Sequence, residues 1–422
     1  MFYEVFMNQA EALYLEKRYD EALAALQQAI SHAPDELMPY FFRGLVYHEK
    51  DFLDHAMADF SYVIEENPDF PGAYRGRATT HAAKGDYGLA IADINTAMRL
   101  APKKAPLDYF HRGRWCDRQG NLDEAIADYG KAIKLDPKFA AAFLMRANAY
   151  CEIEKFDLAI ADYTRAIALE PQDTETYFYR HLAYRDKKNY HAAISDLSKI
   201  LELEPGHEDA LHARADLHAK SGDHALAIAD YDADISRDPE NYHIYRERAD
   251  SYAALGDHAH AIADYGKFLE VATQRGDSKH MHETIYRDRA ASYAALGAHD
   301  LAIADLTTFI ELGETDRTNE FQTRMTELAE GGNDGMEPLL AAPMQAMAKA
   351  TQGTDFAAAF AAMVGEGNQY RNIEAYRLRA ASHRAKGDET AAAADTAKAT
   401  ELEVLVEERD RARRAAKNKR DH

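Results

Sequence analysis

The side chains with the clearest chemical pattern in the sequence are arginines and aspartates that recur together. In nine consecutive segments an arginine precedes an aspartate by 16 residues, whereas the first segment has Gln9 and Ala25 at these places. The pairs are Arg43/Asp59, Arg77/Asp93, Arg112/Asp128, Arg146/Asp162, Arg180/Asp196, Arg214/Asp230, Arg248/Asp264, Arg289/Asp305 and Arg379/Asp395. Because the planar guanidinium group matches a carboxylate at two points, the pattern predicts one structural ion pair per segment. The alternative, a row of anion-binding arginines, is less favoured because each arginine has its own aspartate.

Residues that could support catalysis or metal binding do not form a recognised motif. No glycine-rich phosphate loop, zinc-protease helix motif or nucleophile elbow is present. The nearest approaches to a metal site are the pairs His207/His212, His258/His260 and His280/His282. The first pair is five residues apart, which places its members on different helical faces, and the other two are weak candidates. Cys116 and Cys151 are predicted to be small core residues. We therefore expect no enzyme activity, no cofactor and no metal.

Composition and charge narrow the class of protein. The 422 residues carry 72 acidic and 50 basic side chains, a formal net charge of −22, which disfavours binding to nucleic acid or anionic membranes. A hydrophobic content of 46% is too high for a disordered chain. The two cysteines fit a reducing compartment. We find no apolar run that predicts a membrane-spanning helix and no signal peptide, so we expect a cytoplasmic protein.

The elements that must position these residues repeat along the chain. Small residues recur in steps of 34 or 35 from Ala10 to Ala249, and the pattern returns at Ala290 and Ala380. Apolar residues within each unit follow the 3.6-residue helical period in two halves. A glycine such as Gly85 or Gly120 ends the first half, and a proline such as Pro137 ends the second. Each unit is therefore predicted to be a helical hairpin.

This pattern resembles the tetratricopeptide repeat (TPR) family, particularly its bacterial members. The shared features are a small residue at repeat position 8, alanine at position 20 and proline at position 32, over about 350 of 422 residues in ten units. Two local departures are His181 at position 8 of unit six and Asp234 at position 27 of unit seven. The resemblance implies an all-α, right-handed α-solenoid (superhelix) whose first helices line a concave face that binds peptides or proteins.

The predicted domain organisation follows from these repeats. Residues 1–314 hold units one to nine, and 371–404 hold unit ten. Residues 315–370 are predicted to be a helical insertion or a degenerate repeat, and 405–422 a charged capping helix and tail. A shorter extra link falls at 270–282.

Candidate binding residues come from the positions that face the groove in the family, namely 2, 5, 9, 12 and 13 of the first helix. In units four to six the groove-facing residues are Phe110, Arg114, Arg118, Leu144, Asn148, Glu152, Phe178 and Arg185. Two exposed phenylalanine rings beside arginines would suit a peptide, although the rings could instead pack against neighbouring helices. A second row, Arg246, Arg287 and Arg377, lies beside alanines and would suit an acidic segment unless it pairs with Asp250 and Glu374.

The sequence thus predicts a non-enzymatic scaffold or adaptor that binds a protein or peptide, with an acidic segment as one expected ligand. No nucleic-acid partner and no membrane insertion are expected, and a homo-oligomer is left open. Two alternatives remain: a self-assembling structural oligomer, and a regulator that senses a small ligand through a flap at 315–370.

Overall fold

The computed structural model describes residues 2–101, 103–277, 282–312 and 368–420, with the side chains of 368–371, 408–409 and 412–420 left aside. The helices in chain order are α1 (Phe2–Leu15), α2 (Tyr19–His32), α3 (Leu37–Glu49), α4 (Leu53–Glu66), α5 (Pro71–Ala83), α6 (Tyr87–Leu100), α7 (Pro106–Arg118), α8 (Leu122–Leu135), α9 (Ala140–Glu152), α10 (Phe156–Leu169), α11 (Thr174–Asp186), α12 (Tyr190–Leu203), α13 (Glu208–Ser221), α14 (His224–Arg237), α15 (His243–Ala254), α16 (His258–Arg275), α17 (Glu283–Ala295), α18 (299–312), α19 (Asn368–Ala385) and α20 (Glu389–Arg420). No strand occurs within these ranges.

The described helices form the predicted all-α repeat solenoid. Odd-numbered helices pack against the even-numbered helices that follow them, as α7 does with α8 and α15 with α16. By its packing the chain divides into two compact parts, an N-terminal part (Met1–Ala210) and a C-terminal part (Leu211–His422). Among the described residues, no helix combines the length and the apolar character needed to span a membrane.

Small side chains let the two helices of each hairpin approach closely, as the sequence predicted. The position-20 alanines have no solvent exposure: Ala22, Ala56, Ala90, Ala125, Ala159, Ala193, Ala227, Ala261, Ala302 and Ala392 are each 0% exposed. A large side chain at position 24 of the second helix fills the adjoining space, and Phe60, Tyr129, Tyr163 and Tyr231 are among the most deeply buried residues. The repeated core therefore follows directly from the spacing of small and large residues.

The turn inside each hairpin contains one residue in the left-handed conformation. Glycine occupies it in six units, with positive φ angles at Gly85, Gly120, Gly222, Gly256, Gly297 and Gly387, as predicted. The remaining four units place Lys17, Asp51, Glu154 and Lys188 there. The residue after the turn caps the second helix with its side chain in only some units. The side chains of Asp257 and Asp388 accept a backbone N–H, whereas those of Asp86, Asn121 and Asp223 do not.

The predicted arginine–aspartate pairs form in all nine units. In each, Nε donates to Oδ2 and Nη2 donates to Oδ1, over distances of 2.6 to 2.9 Å. The aspartates are buried, between 3% and 8% exposed. In eight units the guanidinium carbon also lies 5.2 to 5.9 Å from the centre of the position-4 ring. These pairs, called the ladder below, tie the first helix of a unit to its second.

The structure describes only parts of the three segments that the sequence set apart from the regular repeats. Of the insertion and flap predicted at 315–370, residues 315–367 lie outside the described residues, and 368–370 begin α19. The extra link at 270–282 is partly helical, because α16 continues to Arg275 before Gly276 turns the chain. The charged segment predicted from residue 405 continues α20 without a break to Arg420.

Candidate functional site

A cavity of about 670 Å³ lies among the first helices of units four, five and six in the N-terminal part. Its lining, called the arginine pocket below, consists of Phe110, Arg114, Asp117, Arg118, Ala141, Met145, Asn148, Glu152 and Tyr179. All nine residues belong to α7, α9 or α11. The structure therefore brings together five of the groove-facing residues named from the sequence: Phe110, Arg114, Arg118, Asn148 and Glu152.

The floor of the arginine pocket is aromatic. Phe110 is only 8% exposed, so the expectation of an exposed ring is wrong at this position. The centre of its ring lies 4.8 Å from that of Phe139, which belongs to the turn before α9, and 6.0 Å from that of Tyr129 on α8. The guanidinium carbon of Arg114 lies 5.9 Å from the centre of the Phe110 ring. Phe110 thus supports the arginine and presents little surface of its own.

Buried tyrosines of the second helices hold polar groups of the pocket in place. Tyr163 donates its hydroxyl to Oδ1 of Asn148 over 2.6 Å, which leaves the amide N–H groups of Asn148 as donors. Tyr129 donates to Oδ2 of Asp117 over 3.5 Å. Burial raises the pKa of the Asp117 carboxyl, with the tyrosine hydrogen bond and two arginines opposing the shift. Tyrosines of the repeat core therefore orient polar side chains that line the pocket.

The pocket lining carries two arginines and two carboxylates, Asp117 and Glu152, so its formal charge is balanced. Arg114 and Arg118 are exposed and lie one helical turn apart on α7. Within the described ranges, neither arginine has a recorded ion pair. Glu152 is the exposed carboxylate of the same lining. Two available guanidinium forks above an apolar floor can bind a carboxylate that is attached to an apolar group.

Three predicted candidates of this region lie elsewhere. Leu144 packs beside the core of unit five, around Ala147 and Tyr163. Phe178 is half-buried, with its ring 4.5 Å from His181 and 5.8 Å from His207. The ring therefore packs against its neighbours, which was the alternative left open by the sequence. Arg185 is exposed and donates to Asp186 beside it over 3.0 Å.

Sequence reasoning missed two pocket residues at repeat position 6. Met145 and Tyr179 both occupy this position, which the family rule does not assign to the groove. Asp117 at position 12 and Ala141 at position 2 were within the rule but not singled out. Position 6 is adjacent to position 5 on the first helix. A binding face defined more broadly around position 5 would therefore have included Met145 and Tyr179.

The second predicted row of arginines is largely neutralised within the C-terminal part. Arg287 donates to Asp288 over 2.7 Å, and Arg377 forms an ion pair with Glu403. These ion-pair partners differ from Asp250 and Glu374, which the sequence suggested. Arg246 and Arg287 nevertheless act electrostatically on Asp250 and oppose the rise in its pKa that burial causes. Arg246 is exposed and has no recorded ion pair in the described part of the chain. Asp250 instead accepts the hydroxyl of Tyr265 over 2.5 Å.

A larger cavity, about 850 Å³, lies between α19 and α20. Its lining consists of Ile373, Glu374, Arg377, Leu378, Glu403, Val406, Glu407 and Asp410. Four carboxylates face one arginine that is already paired, so this cavity is unsuited to an acidic ligand.

One further group of polar side chains lies between α13 and α15. His212, Asp216 and Glu247 place one ligand-type atom each within 4.8 Å of the others. Burial is the main cause that raises the pKa of Glu247 to about 7, and the nearby Asp216 adds to the shift. Asp234, the departure noted in unit seven, is buried and lies 3.3 Å from Nδ1 of His212. The sequence offered a signal here, since His212 and Asp216 are four residues apart on one helix.

The histidine pairs named from the sequence are not brought together as metal ligands among the described side chains. His207 stacks on Phe178, whereas His260 binds Asp257 through Nδ1 over 2.8 Å. His258 lies 3.3 Å from the hydroxyl of Ser292. His282 packs against Phe268, and its partner His280 lies outside the described residues.

Family models match several parts of the chain. A model described as TPR repeat matches residues 118–152 and 147–185, and two described as tetratricopeptide repeat match 3–36 and, in overlapping segments, 180–241 and 212–270. Human serine/threonine-protein phosphatase 5 is 28% identical over 108 residues, 25% of this chain and 22% of that protein. Hsc70-interacting protein 1 of Drosophila melanogaster is 27% identical over 92 residues, 22% of this chain and 24% of that protein. The chain thus spans about a quarter of the length of these relatives.

Solved structures with related folds include other repeat proteins. YrrB, described as a TPR protein with an unusual peptide-binding site, is 19% identical with a TM-score of 0.40, over 45% of this chain and 97% of that one. A tetratricopeptide repeat protein from Parabacteroides merdae ATCC 43184 is 22% identical with a TM-score of 0.40, over 66% of this chain and 98% of that one.

Proposed function

Because the chain belongs to the tetratricopeptide repeat family, a protein-interaction fold that is typically non-catalytic, we propose that it is a non-enzymatic scaffold whose arginine pocket binds a peptide segment. The segment carries an acidic side chain close to an apolar one. The lining supports this choice, since every pocket residue lies on a first helix, the helix that lines the binding face in the family.

The observation that carries the proposal is the pair Arg114 and Arg118 above Phe110. Both guanidinium groups are exposed and form no ion pair within the described residues, although both act electrostatically on the nearby Asp117 carboxyl. Ladder arginines, by contrast, each hold a buried aspartate at two points. A peptide carboxylate would supply the missing acceptor, and the aliphatic and aromatic parts of Met145 and Tyr179 would contact an apolar side chain.

The ligand class follows from the charge of the two predicted surfaces. In the C-terminal part Arg287 and Arg377 already have carboxylate partners, so the second predicted row offers less positive charge to a ligand. We therefore assign the acidic peptide to the arginine pocket. The activity of the phosphatase relative is not assigned to this chain, because the matched segment is 22% of that protein.

The test is a binding measurement with the full chain and three labelled peptides of equal length. One peptide combines glutamate with leucine, the second replaces glutamate by glutamine, and the third replaces it by lysine. Fluorescence anisotropy should rise with the glutamate peptide and much less with the other two. In Arg114→Glu/Arg118→Glu the affinity for the glutamate peptide should fall at least about tenfold, or ~1.4 kcal/mol.

A matched variant separates the pocket from the overall charge. Arg99→Glu/Arg165→Glu reverses two exposed arginines on the second helices α6 and α10, outside the pocket. Its net charge equals that of the pocket variant, so any long-range repulsion is the same. We expect its affinity to change less than about twofold. Equal losses in both variants, or no loss in either, would show that the pocket is not the binding site.

A further inference from the structure

The side chains between α13 and α15 combine donors that metal ions prefer. His212 and Asp216 lie four residues apart on α13, and Glu247 reaches them from α15. One imidazole nitrogen and two carboxylates are a donor set for divalent transition metals. All three residues belong to the C-terminal part, separate from the arginine pocket.

The separation of two donor atoms fits a shared cation better than a direct hydrogen bond. Nε2 of His212 and Oε2 of Glu247 are 3.4 Å apart. Two ligands bound to zinc at about 2.0 to 2.1 Å in a tetrahedral arrangement are about 3.4 Å from each other. Oε2 of Glu247 is shielded from solvent and has no hydrogen-bond partner. An ion between the two atoms would satisfy both.

Neighbouring side chains hold two of the three donors in position. Nδ1 of His212 lies 3.3 Å from Oδ2 of Asp234, which leaves Nε2 as the available nitrogen. Tyr231 donates its hydroxyl to Oδ1 of Asp216 over 2.8 Å. A carboxylate behind the histidine and a hydrogen bond to the ligating carboxylate are the usual supports of a metal site. Asp234 also stands where the repeat pattern favours a small or apolar residue.

Negative charge outweighs positive charge in the group, although the exposed Arg246 next to Glu247 acts on it electrostatically. Asp216, Asp234 and Glu247 surround a single imidazole, and none of them has a recorded ion pair with arginine or lysine in the described part of the chain. Each ladder aspartate, by contrast, has an arginine. Carboxylates that are partly withdrawn from water without a counter-charge are unfavourable unless an ion is bound.

We propose that His212, Asp216 and Glu247 bind a divalent transition-metal ion, with Zn²⁺ as the best match to the donors. Asp234 orients the imidazole, and Tyr231 orients the carboxylate of Asp216. Three protein ligands leave a fourth position for water or for a side chain of a bound protein. His212 and Asp216 occupy repeat positions 5 and 9, so this fourth position would belong to the face that the family uses for binding.

The first experiment measures Zn²⁺ binding to the full, untagged chain by competition with a chromophoric chelator. We expect one tight site per chain. His212→Ala should weaken that site more than about tenfold, and Asp234→Asn, which alters only the support of the imidazole, about tenfold. His260→Ala is the control, because His260 is exposed and bound to Asp257 outside the group. It should retain wild-type affinity.

A second variant tests the site without removing bulk from the structure. Glu247→Gln keeps the shape of the side chain and removes its charge, so the metal-free protein should melt at the wild-type temperature or above it. Saturating Zn²⁺ should raise the melting temperature of the wild type and of His260→Ala but not that of Glu247→Gln. Unchanged affinity in His212→Ala, an equal zinc-dependent rise in Glu247→Gln, or a loss confined to His260→Ala would overturn the proposal.

Discussion

The arginine pocket and the His212–Asp216–Glu247 group use the same repeat positions with opposite charge. Position 9 is Arg114 or Asn148 in the pocket and Asp216 in the other group. Position 6 is Met145 or Tyr179 in the first and Glu247 in the second. Behind both, a buried position-24 tyrosine donates to a polar side chain of the first helix. The same buried core and the same arginine–aspartate ladder, together called the common frame below, therefore support one surface that carries arginines and another that carries carboxylates.

The largest expected effect is the loss of stability when a ladder aspartate is removed. Comparing one such variant in the N-terminal part with one in the C-terminal part tests whether the ladder stabilises both equally. Asp162→Ala leaves Arg146 half-buried without its partner, and Asp230→Ala does the same to its contact with Arg214. We expect each to lower the free energy of unfolding by about 3 kcal/mol, measured by urea denaturation. A difference above about 2 kcal/mol between the variants would break the idea of a common frame.

A double replacement sharpens the interpretation of that loss. Arg146→Met/Asp162→Leu removes both charges and keeps apolar volume in their place. Because no buried charge then lacks a partner, its loss should be well below that of Asp162→Ala. An equal or greater loss of unfolding free energy would mean that the ion pair itself stabilises the hairpin. The unpaired buried charge would then not be the main cause of the loss in Asp162→Ala.

An intermediate effect concerns Glu247, which stands at the repeat position that Met145 and Tyr179 occupy in the arginine pocket. Burial raises its pKa to about 7 in the folded chain, above the ordinary value, so folding favours the protonated form. The resulting stability is present at acidic pH and is lost as the pH rises to about 7. In buffer with a chelator, Glu247→Gln should therefore be more stable than the wild type at pH 8, by on the order of 1 kcal/mol, and nearly equal at pH 4.

The measurement is the same urea titration at the two pH values. His212, Asp216, Arg246 and Asp250 act electrostatically on Glu247 and remain in both proteins, so their own titration largely cancels in the comparison. A difference that does not change with pH, or that favours the wild type at pH 8, would contradict a raised pKa.

The smallest expected effect compares position 8 in the two regions. A Cβ on Gly113 would lie 2.9 Å from the ring of Tyr129, yet Ala215 and Tyr231 coexist at the same positions of unit seven. Gly113→Ala should therefore shift the ring slightly, and the helix propensity of alanine should offset this. We expect a net change within about 1 kcal/mol by urea denaturation. A loss above about 3 kcal/mol would mean that the two cores differ.

Much of the fold was predictable because it repeats. The spacing of Arg146 and Asp162 recurs in eight other units, and recurrence identifies an interaction that a single pair would not. Turn glycines such as Gly85 were predicted for the same reason. The binding surface was less predictable. Burial of Phe110 depends on Phe139 from the turn between units, a contact that helical period does not describe.

The group around His212 was missed for a different reason. The spacing of histidines alone does not reveal it, because only one of its three residues is a histidine, although His212 and Asp216 have the spacing that places them on one helical face. Glu247 lies 35 residues beyond His212, and its approach depends on how α15 packs beside α13, which the sequence pattern leaves open. Asp234 was noted as a departure, but its contact with the imidazole required the structure.

The ladder has a consequence for how such a chain can change over time. Every ladder contact joins residues 16 positions apart inside one repeat, so a break between repeats separates no arginine from its aspartate. A gene could therefore duplicate, delete or exchange a whole hairpin without leaving a charge stranded in the interior. Recognition surfaces could then be rearranged by shuffling intact pieces, and selection would act on the order of hairpins as well as on single residues.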